Sequence, residues 1–195
     1  MLARDRLRPH DRWLLKRLPA GRGIALEIGC GVGHLARRLV ADFDNVVAID
    51  FSEGMIAEAR RRTSEGTPIE YSCADMFAWL PRFHNRYDCI VTVGTLHHVD
   101  LKSALREMAL ALKPGGTLLV SDLLDRGGWR YLLLNVVAHA VARVREAFVF
   151  RGMMPWKLRT AYWRHGRDET YLTLDEVERA AREQLPGSQV QGHLL

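Results

Sequence analysis

Apolar residues along this chain fall into short continuous runs that alternate with stretches of helical spacing. Five runs of this kind predict strands, at residues 24–28, 46–50, 69–72, 89–93 and 117–122. Helical spacing lies between them, at residues 34–41, 53–63 and 101–112, and a short amphipathic helix at about 11–18 comes first. Ser52 and Asp100 stand where helix N-caps are expected, and residues 113–116 (Lys-Pro-Gly-Gly) predict a helix stop. The alternation predicts βαβ units.

Repeated βαβ units are typical of an α/β fold, in which a mostly parallel, doubly wound, Rossmann-like sheet carries helices on both faces. The alternation stops after Asp122, where residues 129–150 form a long apolar segment of helical spacing. Asn135, His139 and Arg143 interrupt the segment, so its apolar run is too short to span a bilayer. Thr173 then predicts the cap of a helix over 174–185, and residues 189–195 predict a last strand. We expect one domain over 1–195 with a helical lid inserted at about 125–170; the alternative is that the insertion is an extra core helix.

Polar and glycine residues follow the predicted strands at the ends where parallel sheets bind ligands. Glu27 precedes glycines at alternate positions 29, 31 and 33, and a strand, a glycine turn and a helix in that order bring bare backbone against a ligand. An acid beside such a turn favours a cationic or hydroxyl-bearing ligand over a phosphate, because like charges repel. The later strands end at Asp50-Phe51, Asp75-Met76-Phe77 and Gly94-Thr95-Leu96-His97-His98. The four ends in this order predict one binding site.

The motifs at residues 26–33 (LEIGCGVG), 48–55 (AIDFSEGM), 96–99 (LHHV) and 112–118 (LKPGGTL) resemble those of the class I S-adenosylmethionine-dependent methyltransferases, specifically the small "type 11" group. The resemblance runs over nearly the whole chain and implies S-adenosyl-L-methionine as cofactor, with S-adenosyl-L-homocysteine as product. It implies that Glu27 lies near the methionine end, that Asp50 holds the ribose, that Phe51 and Met55 flank the adenine, and that Asp75 and Met76 recognise its edge. The cofactor-binding set is completed by Gly29, Cys30, Gly31, Gly33 and Gly94; no metal ligand is expected.

A proton acceptor is required if the methyl acceptor is a hydroxyl or an acidic carbon. The strands that end near His97 and His98 and at Asp122 should be neighbours, about 4.8 Å apart. We therefore hypothesise that His97 or His98 is the base and that Asp122 orients it. The alternative is that the two histidines only shape the pocket and the entry to the helix at Asp100.

The composition and the charge of the chain indicate which classes of partner it binds. The chain has a net charge of +5, and residues 143–167 contain seven Lys or Arg residues and a single acid, Glu146. The apolar and aromatic residues of the same segment favour a small apolar or aromatic acceptor, and the charge would suit an anionic group on it. A solvated basic face and peripheral membrane contact are the alternatives. Tyr131, His139, Tyr162 and His165 are candidate contacts. No nucleic-acid-binding module accompanies the charge. Three cysteines without metal spacing predict reduced core thiols, and the absence of an N-terminal signal pattern predicts a cytoplasmic protein.

Two further functions remain open from the sequence. A nicotinamide-dependent oxidoreductase would use the looser G-x-G-x-x-A pattern at residues 31–36, and a catalytically silent, cofactor-binding partner subunit would need no base. The family resemblance also implies a seventh, antiparallel strand, for which no residues follow Leu195. An unpaired edge there leaves homodimerisation or instability as expectations.

Overall fold

A computed structural model describes residues 9–21, 23–122, 124–125 and 172–191. Five parallel strands form its main sheet, in the order β3-β2-β1-β4-β5. Their bounds are β1 Ile24–Ile28, β2 Asn45–Asp50, β3 Ile69–Cys73, β4 Tyr87–Val93 and β5 Leu112–Ser121. Strand order reverses between β1 and β4, which pair through Ile28 and Thr92 at their carboxyl ends. The predicted α/β, doubly wound fold is confirmed.

Helices cover both faces of this sheet. They are α1 Pro9–Leu15, α2 Ala36–Leu39, α3 Glu53–Arg62, α4 Met76–Trp79, α5 Leu101–Ala111 and α6 Leu174–Gln184, with 3-10 turns at Leu80–Arg82 and Leu96–His98. Successive strand residues point to opposite faces. Leu26 and Ile90 thus belong to a core shared with α4, α5 and α6, whereas Ala25 and Val91 belong to a second core beneath α1, α2 and α3. Burial on both faces explains why the strands are continuous apolar runs.

The predicted caps form as the sequence indicates. Ser52 Oγ accepts from the Met55 amide at 3.4 Å, and Asp100 Oδ1 accepts from the Ser103 amide at 2.9 Å. Thr173 caps α6 in a reciprocal capping box with Glu176. These bonds satisfy amides that an α-helix leaves without intrahelical partners at its start.

Several predicted bounds differ from the structure. The helix expected at about 11–18 is Pro9–Leu15, and β4 begins at Tyr87 rather than at 89. The helix expected at 34–41 is helical only at Ala36–Leu39, because residues 31–35 remain in the glycine turn. Strand β5 begins at Leu112 rather than at 117, and a shift in register between Tyr87 and Cys89 of β4 accommodates residues 113–116 as an irregularity within β5. Residues 189–191 of the predicted last strand have no regular structure, and the rest of that strand lies outside the described residues.

A second, two-stranded parallel sheet joins β6 (Leu124–Asp125) to β7 (Leu172–Thr173). It pairs Leu124 with Leu172 and Asp125 with Thr173, directly before α6. The predicted lid at about 125–170 lies almost wholly outside the described residues, together with Tyr131, His139, Tyr162 and His165. Among the residues that are described, no helix has the length and apolar character needed to cross a membrane.

Candidate functional site

The glycine turn after β1 is fastened to the end of β2. The amides of Gly29 and Cys30 both donate to the Ile49 carbonyl, at 2.9 and 3.0 Å. Gly29, Gly31 and Gly33 have φ values of +73°, +52° and +72°, which other residues rarely adopt. A side chain at Gly29 would meet Thr95 Oγ1 at 2.1 Å, and one at Gly33 would meet the Tyr71 hydroxyl at 2.3 Å. Two of the three glycines therefore allow close packing within the protein.

Gly31 faces a different environment. A Cβ atom built on it would have no heavy atom within 4 Å, and the same holds at Gly94 after β4. Both positions lie at the carboxyl ends of the central strands, where the strand order reverses. Gly31 and Gly94 thus expose backbone to the open space in which this kind of sheet binds its ligand.

Asp50, at the end of β2, holds the glycine turn. Its Oδ2 accepts from the Gly31 amide at 2.8 Å and its Oδ1 from the Ser52 amide at 2.9 Å, and the residue is only 8% exposed. A carboxylate has about four acceptor positions, so these two bonds leave capacity for ribose hydroxyls. One carboxylate can thus both shape the loop and bind a sugar.

The space beside the turn is electronegative. Glu27 is 4% exposed and Asp50 nearly as buried. Burial, followed by the charges of these two acids, raises the pKa of the Cys30 thiol far above its usual range. The negative field that disfavours a thiolate favours a cation, such as a sulfonium or an ammonium group. It disfavours the pyrophosphate that a nicotinamide cofactor would place there.

The residues predicted to bind adenine differ in their exposure and in their contacts. Phe51 is 69% exposed, and Met55 is half-buried on the first turn of α3. Asp75 caps α4, since its Oδ1 accepts from the amides of Phe77 and Ala78 at 2.8 and 3.2 Å. Met76 is 5% exposed and its side chain packs into the core, so only its backbone can face a ligand.

The structure brings His97 and Asp122 together, as the sequence predicts. The His97 Nδ1 atom lies 2.5 Å from Asp122 Oδ1, and both side chains are more than nine-tenths buried. Asp122 Oδ2 accepts from the amides of Thr95, Leu96 and His97, at 3.1, 2.6 and 3.3 Å. His98 is exposed, and its ring lies 3.9 Å, centre to centre, from that of His97. His97 rather than His98 therefore pairs with Asp122.

Sequence reasoning missed two residues of this region. Thr95 contacts the glycine turn, and Tyr71 packs against Gly33 while its hydroxyl bonds Thr63 Oγ1 at 3.0 Å. Tyr71 gave no signal, because a tyrosine in a strand is ordinary core. Thr95 could have been found by its place between a strand and the His-His pair.

The cysteines are free thiols, as expected. Cys30 and Cys89 are buried, and burial together with nearby Asp88 raises the pKa of Cys89 to about 12. Cys73 is exposed, so the prediction of a core thiol is wrong at that position. Within the described part of the chain, no three His, Cys, Asp or Glu side chains gather as a metal site would require.

Comparison with known proteins assigns the family. Residues 25–116 match a methyltransferase domain family. An uncharacterized methyltransferase of Mycobacterium bovis is 31% identical over 152 residues, which cover 75% of this chain and 76% of that protein. The chain belongs to the class I S-adenosylmethionine-dependent methyltransferases, and S-adenosyl-L-methionine is its cofactor. The oxidoreductase alternative is therefore wrong.

Two further matches are partial. A ubiquinone biosynthesis O-methyltransferase of Bradyrhizobium is 33% identical over 57% of this chain and 44% of that enzyme. The fold also matches phosphoethanolamine N-methyltransferase 2 of Haemonchus contortus, solved with phosphomonomethylethanolamine and S-adenosylhomocysteine, at a TM-score of 0.65 and 21% identity. That match covers 90% of this chain and 36% of the other. The chain thus spans less than half the length of these two proteins.

The site's own residues fit the cofactor. The open space at Gly31 suits the part of the cofactor that contacts the backbone. The negative surroundings of Cys30 suit its cationic methionine end, and the exposed ring of Phe51 suits its adenine. When bound, the cofactor supplies an electrophilic methyl group on a positively charged sulfur. Positioning of an acceptor and control of its proton are left to the protein.

Proposed function

We propose that this methyltransferase acts on a small-molecule acceptor of apolar or aromatic character that bears an ionisable hydroxyl or acidic carbon, and that His97 removes the acceptor's proton. The observation that carries the proposal is the buried bond between His97 Nδ1 and Asp122 Oδ1. A carboxylate accepts but does not donate, so Nδ1 carries the proton and Nε2 is the basic nitrogen. An orienting carboxylate of this kind also stabilises the imidazolium that forms.

The position of the pair supports this role. Asp122 follows β5 and His97 lies in the 3-10 turn after β4, beside the point where the strand order reverses. Thr95 packs against Gly29, so the pair is separated from the cofactor turn by a single residue. Only a base close to the methyl donor can take a proton as the methyl group is transferred.

The relatives support the acceptor class. The name of the Bradyrhizobium enzyme refers to ubiquinone biosynthesis and O-methylation, and that of a match from Clavibacter sepedonicus is demethylmenaquinone methyltransferase. Apolar aromatic acceptors with a ring hydroxyl would suit a histidine base, since a ring hydroxyl loses its proton more readily than an alkyl hydroxyl does. We infer the same class here, without assigning a particular compound.

The test uses two substitutions with labelled S-adenosylmethionine and the metabolite fraction of a cell extract as acceptor source. His97→Gln should reduce methyl incorporation by about 10² to 10⁴, the usual contribution of a positioned base. His98→Gln, the matched control on the neighbouring exposed histidine, should change it less than threefold. Equal rates for wild type and His97→Gln would refute the base, and identification of the labelled product would test the acceptor class.

A further inference from the structure

Thr95 has the position of a helix cap but not the bonds of one. It precedes the 3-10 turn Leu96–His98, and its side chain makes no capping bond. The Asp122 carboxylate takes that role, because it accepts from the amides of residues 95, 96 and 97. The Thr95 hydroxyl lies instead 3.4 Å from the Ile28 carbonyl and 3.2 Å from the Val93 carbonyl.

These two carbonyls belong to the last residues of β1 and β4, the strands between which the sheet order reverses. The same side chain fills the space beside Gly29. A Cβ atom on Gly29 would lie 2.1 Å from Thr95 Oγ1, 3.0 Å from Cγ2 and 3.1 Å from Cβ. Thr95 is therefore packed directly against the first residue of the cofactor turn.

Through its backbone, Thr95 also belongs to the His97 side of the site. Its amide donates to Asp122 Oδ2, and the other oxygen of that carboxylate, Oδ1, bonds the His97 ring. Gly29, Thr95, Asp122 and His97 thus form one continuous set of contacts. We propose that Thr95 is a positioning residue, which sets the separation of His97 from the cofactor turn; this rests on the proposed role of His97 as base.

Both parts of the side chain have a function in this arrangement. The hydroxyl links the turn after β4 to the end of β1, and the branched carbon restricts the side chain to few rotamers. A small displacement of a base from the proton that it removes lowers the reaction rate strongly, even when the cofactor binds as before. Thr95→Ser keeps the hydroxyl, whereas Thr95→Val keeps the shape and loses both bonds.

Thr92 offers a matched control three residues earlier. It is 1% exposed on β4, and its hydroxyl has no hydrogen-bond partner among the described residues. Thr92→Val removes a buried threonine hydroxyl from the strand that precedes Thr95 and leaves the contact with Gly29 in place. It should leave both turnover and S-adenosylhomocysteine binding unchanged.

The experiment measures two quantities for wild type, T95S, T95V, T92V, H97Q and the T95V/H97Q double variant. One is methyl incorporation into the metabolite extract at saturating S-adenosylmethionine, and the other is the Kd for S-adenosylhomocysteine by calorimetry. We expect T95V to lose tenfold or more in rate and less than threefold in affinity, T95S to stay within threefold of wild type in rate, and the double variant to match H97Q.

Three results would overturn the proposal: a wild-type rate in T95V, equal losses of rate and affinity in T95V, or additive losses in the double variant. Equal losses would assign Thr95 to the packing of the turn alone. A wild-type rate in H97Q would remove the base, and with it the proposal for Thr95. The two failures are distinguishable, because a failure confined to Thr95 leaves H97Q impaired.

Discussion

Replacing Asp122 with Asn changes one atom of the site and should have a large effect on turnover. The carboxylate accepts four donors: three backbone amides at Oδ2 and the His97 ring at Oδ1. An amide side chain has only one acceptor oxygen. If the amide oxygen faces the backbone, it retains the three bonds from backbone amides, and the NH₂ group of the side chain points toward His97. If the oxygen faces His97, it retains one bond, and the NH₂ group points at three N–H donors. The first orientation is therefore favoured.

In that orientation Nδ1 must accept a hydrogen bond, and the ring proton moves to Nε2. His97 then presents a donor where the reaction needs a base, and methyl transfer should fall by about 10² to 10⁴. Exchange of the charge-assisted bond to His97 for a neutral one costs about 1–1.5 kcal/mol. For a chain of this size, that lowers Tm by roughly 2–6 °C.

Three measurements test this reasoning on Asp122→Asn: methyl incorporation, Tm, and the His97 tautomer from ¹⁵N NMR of the imidazole, assigned with His97→Gln. S-adenosylhomocysteine affinity should remain within threefold, since these four bonds run to residues 95–97. A variant that keeps the wild-type tautomer and more than a third of its rate would refute the argument. Loss of cofactor affinity in parallel with rate would also refute it.

Two further predictions concern the glycine turn and the opposite end of the sheet. Gly31→Ala should weaken S-adenosylhomocysteine binding tenfold or more, because its Cβ enters the open space beside the turn, whereas Gly33→Ala should weaken binding much less. Both variants should lower Tm, because alanine is strained at a positive φ, and Gly33→Ala should lower it further, because its Cβ also meets the Tyr71 hydroxyl. Calorimetry and thermal unfolding separate the two variants, and equal binding losses would contradict the distinction. The hydrogen bond from Lys113 lowers the pKa of Asp88 in the folded protein. The stability that Asp88 contributes is therefore fully present above the usual aspartate pKa of about 4. It is lost as the pH falls through the lower pKa of Asp88 in the folded protein. Asp88→Asn should therefore lower Tm at pH 7 and progressively less below pH 4, and a Tm difference independent of pH would contradict this.

Much of the fold could be predicted because local pattern and tertiary structure agree. The first strand has the predicted bounds, Ile24–Ile28, since it is buried on both faces. The start of β5 was missed, because Lys113-Pro114-Gly115-Gly116 is equally typical of a turn and of an irregularity in a strand. Helix α4 was missed because at four residues it is too short to show a helical period.

The site was predictable in its chemistry but less so in its contacts. Glu27, Asp50 and the glycines could be placed from strand ends alone, and sheet adjacency brought His97 to Asp122. The direction of a side chain could not be derived in that way. Met76 packs inward because α4 presents that face to the core, and Gly29 is explained by Thr95, 66 positions away in sequence and adjacent only in the fold.

The most direct test of the central claim follows the label from S-adenosylmethionine after reaction with a whole-cell extract, divided into small-molecule, protein and nucleic-acid fractions. Label should enter the small-molecule fraction with the wild-type chain and be nearly absent from it with His97→Gln, although both bind S-adenosylhomocysteine. Label confined to protein or nucleic acid would contradict the proposed acceptor class. Cofactor binding without transfer to any fraction would support a catalytically silent subunit instead.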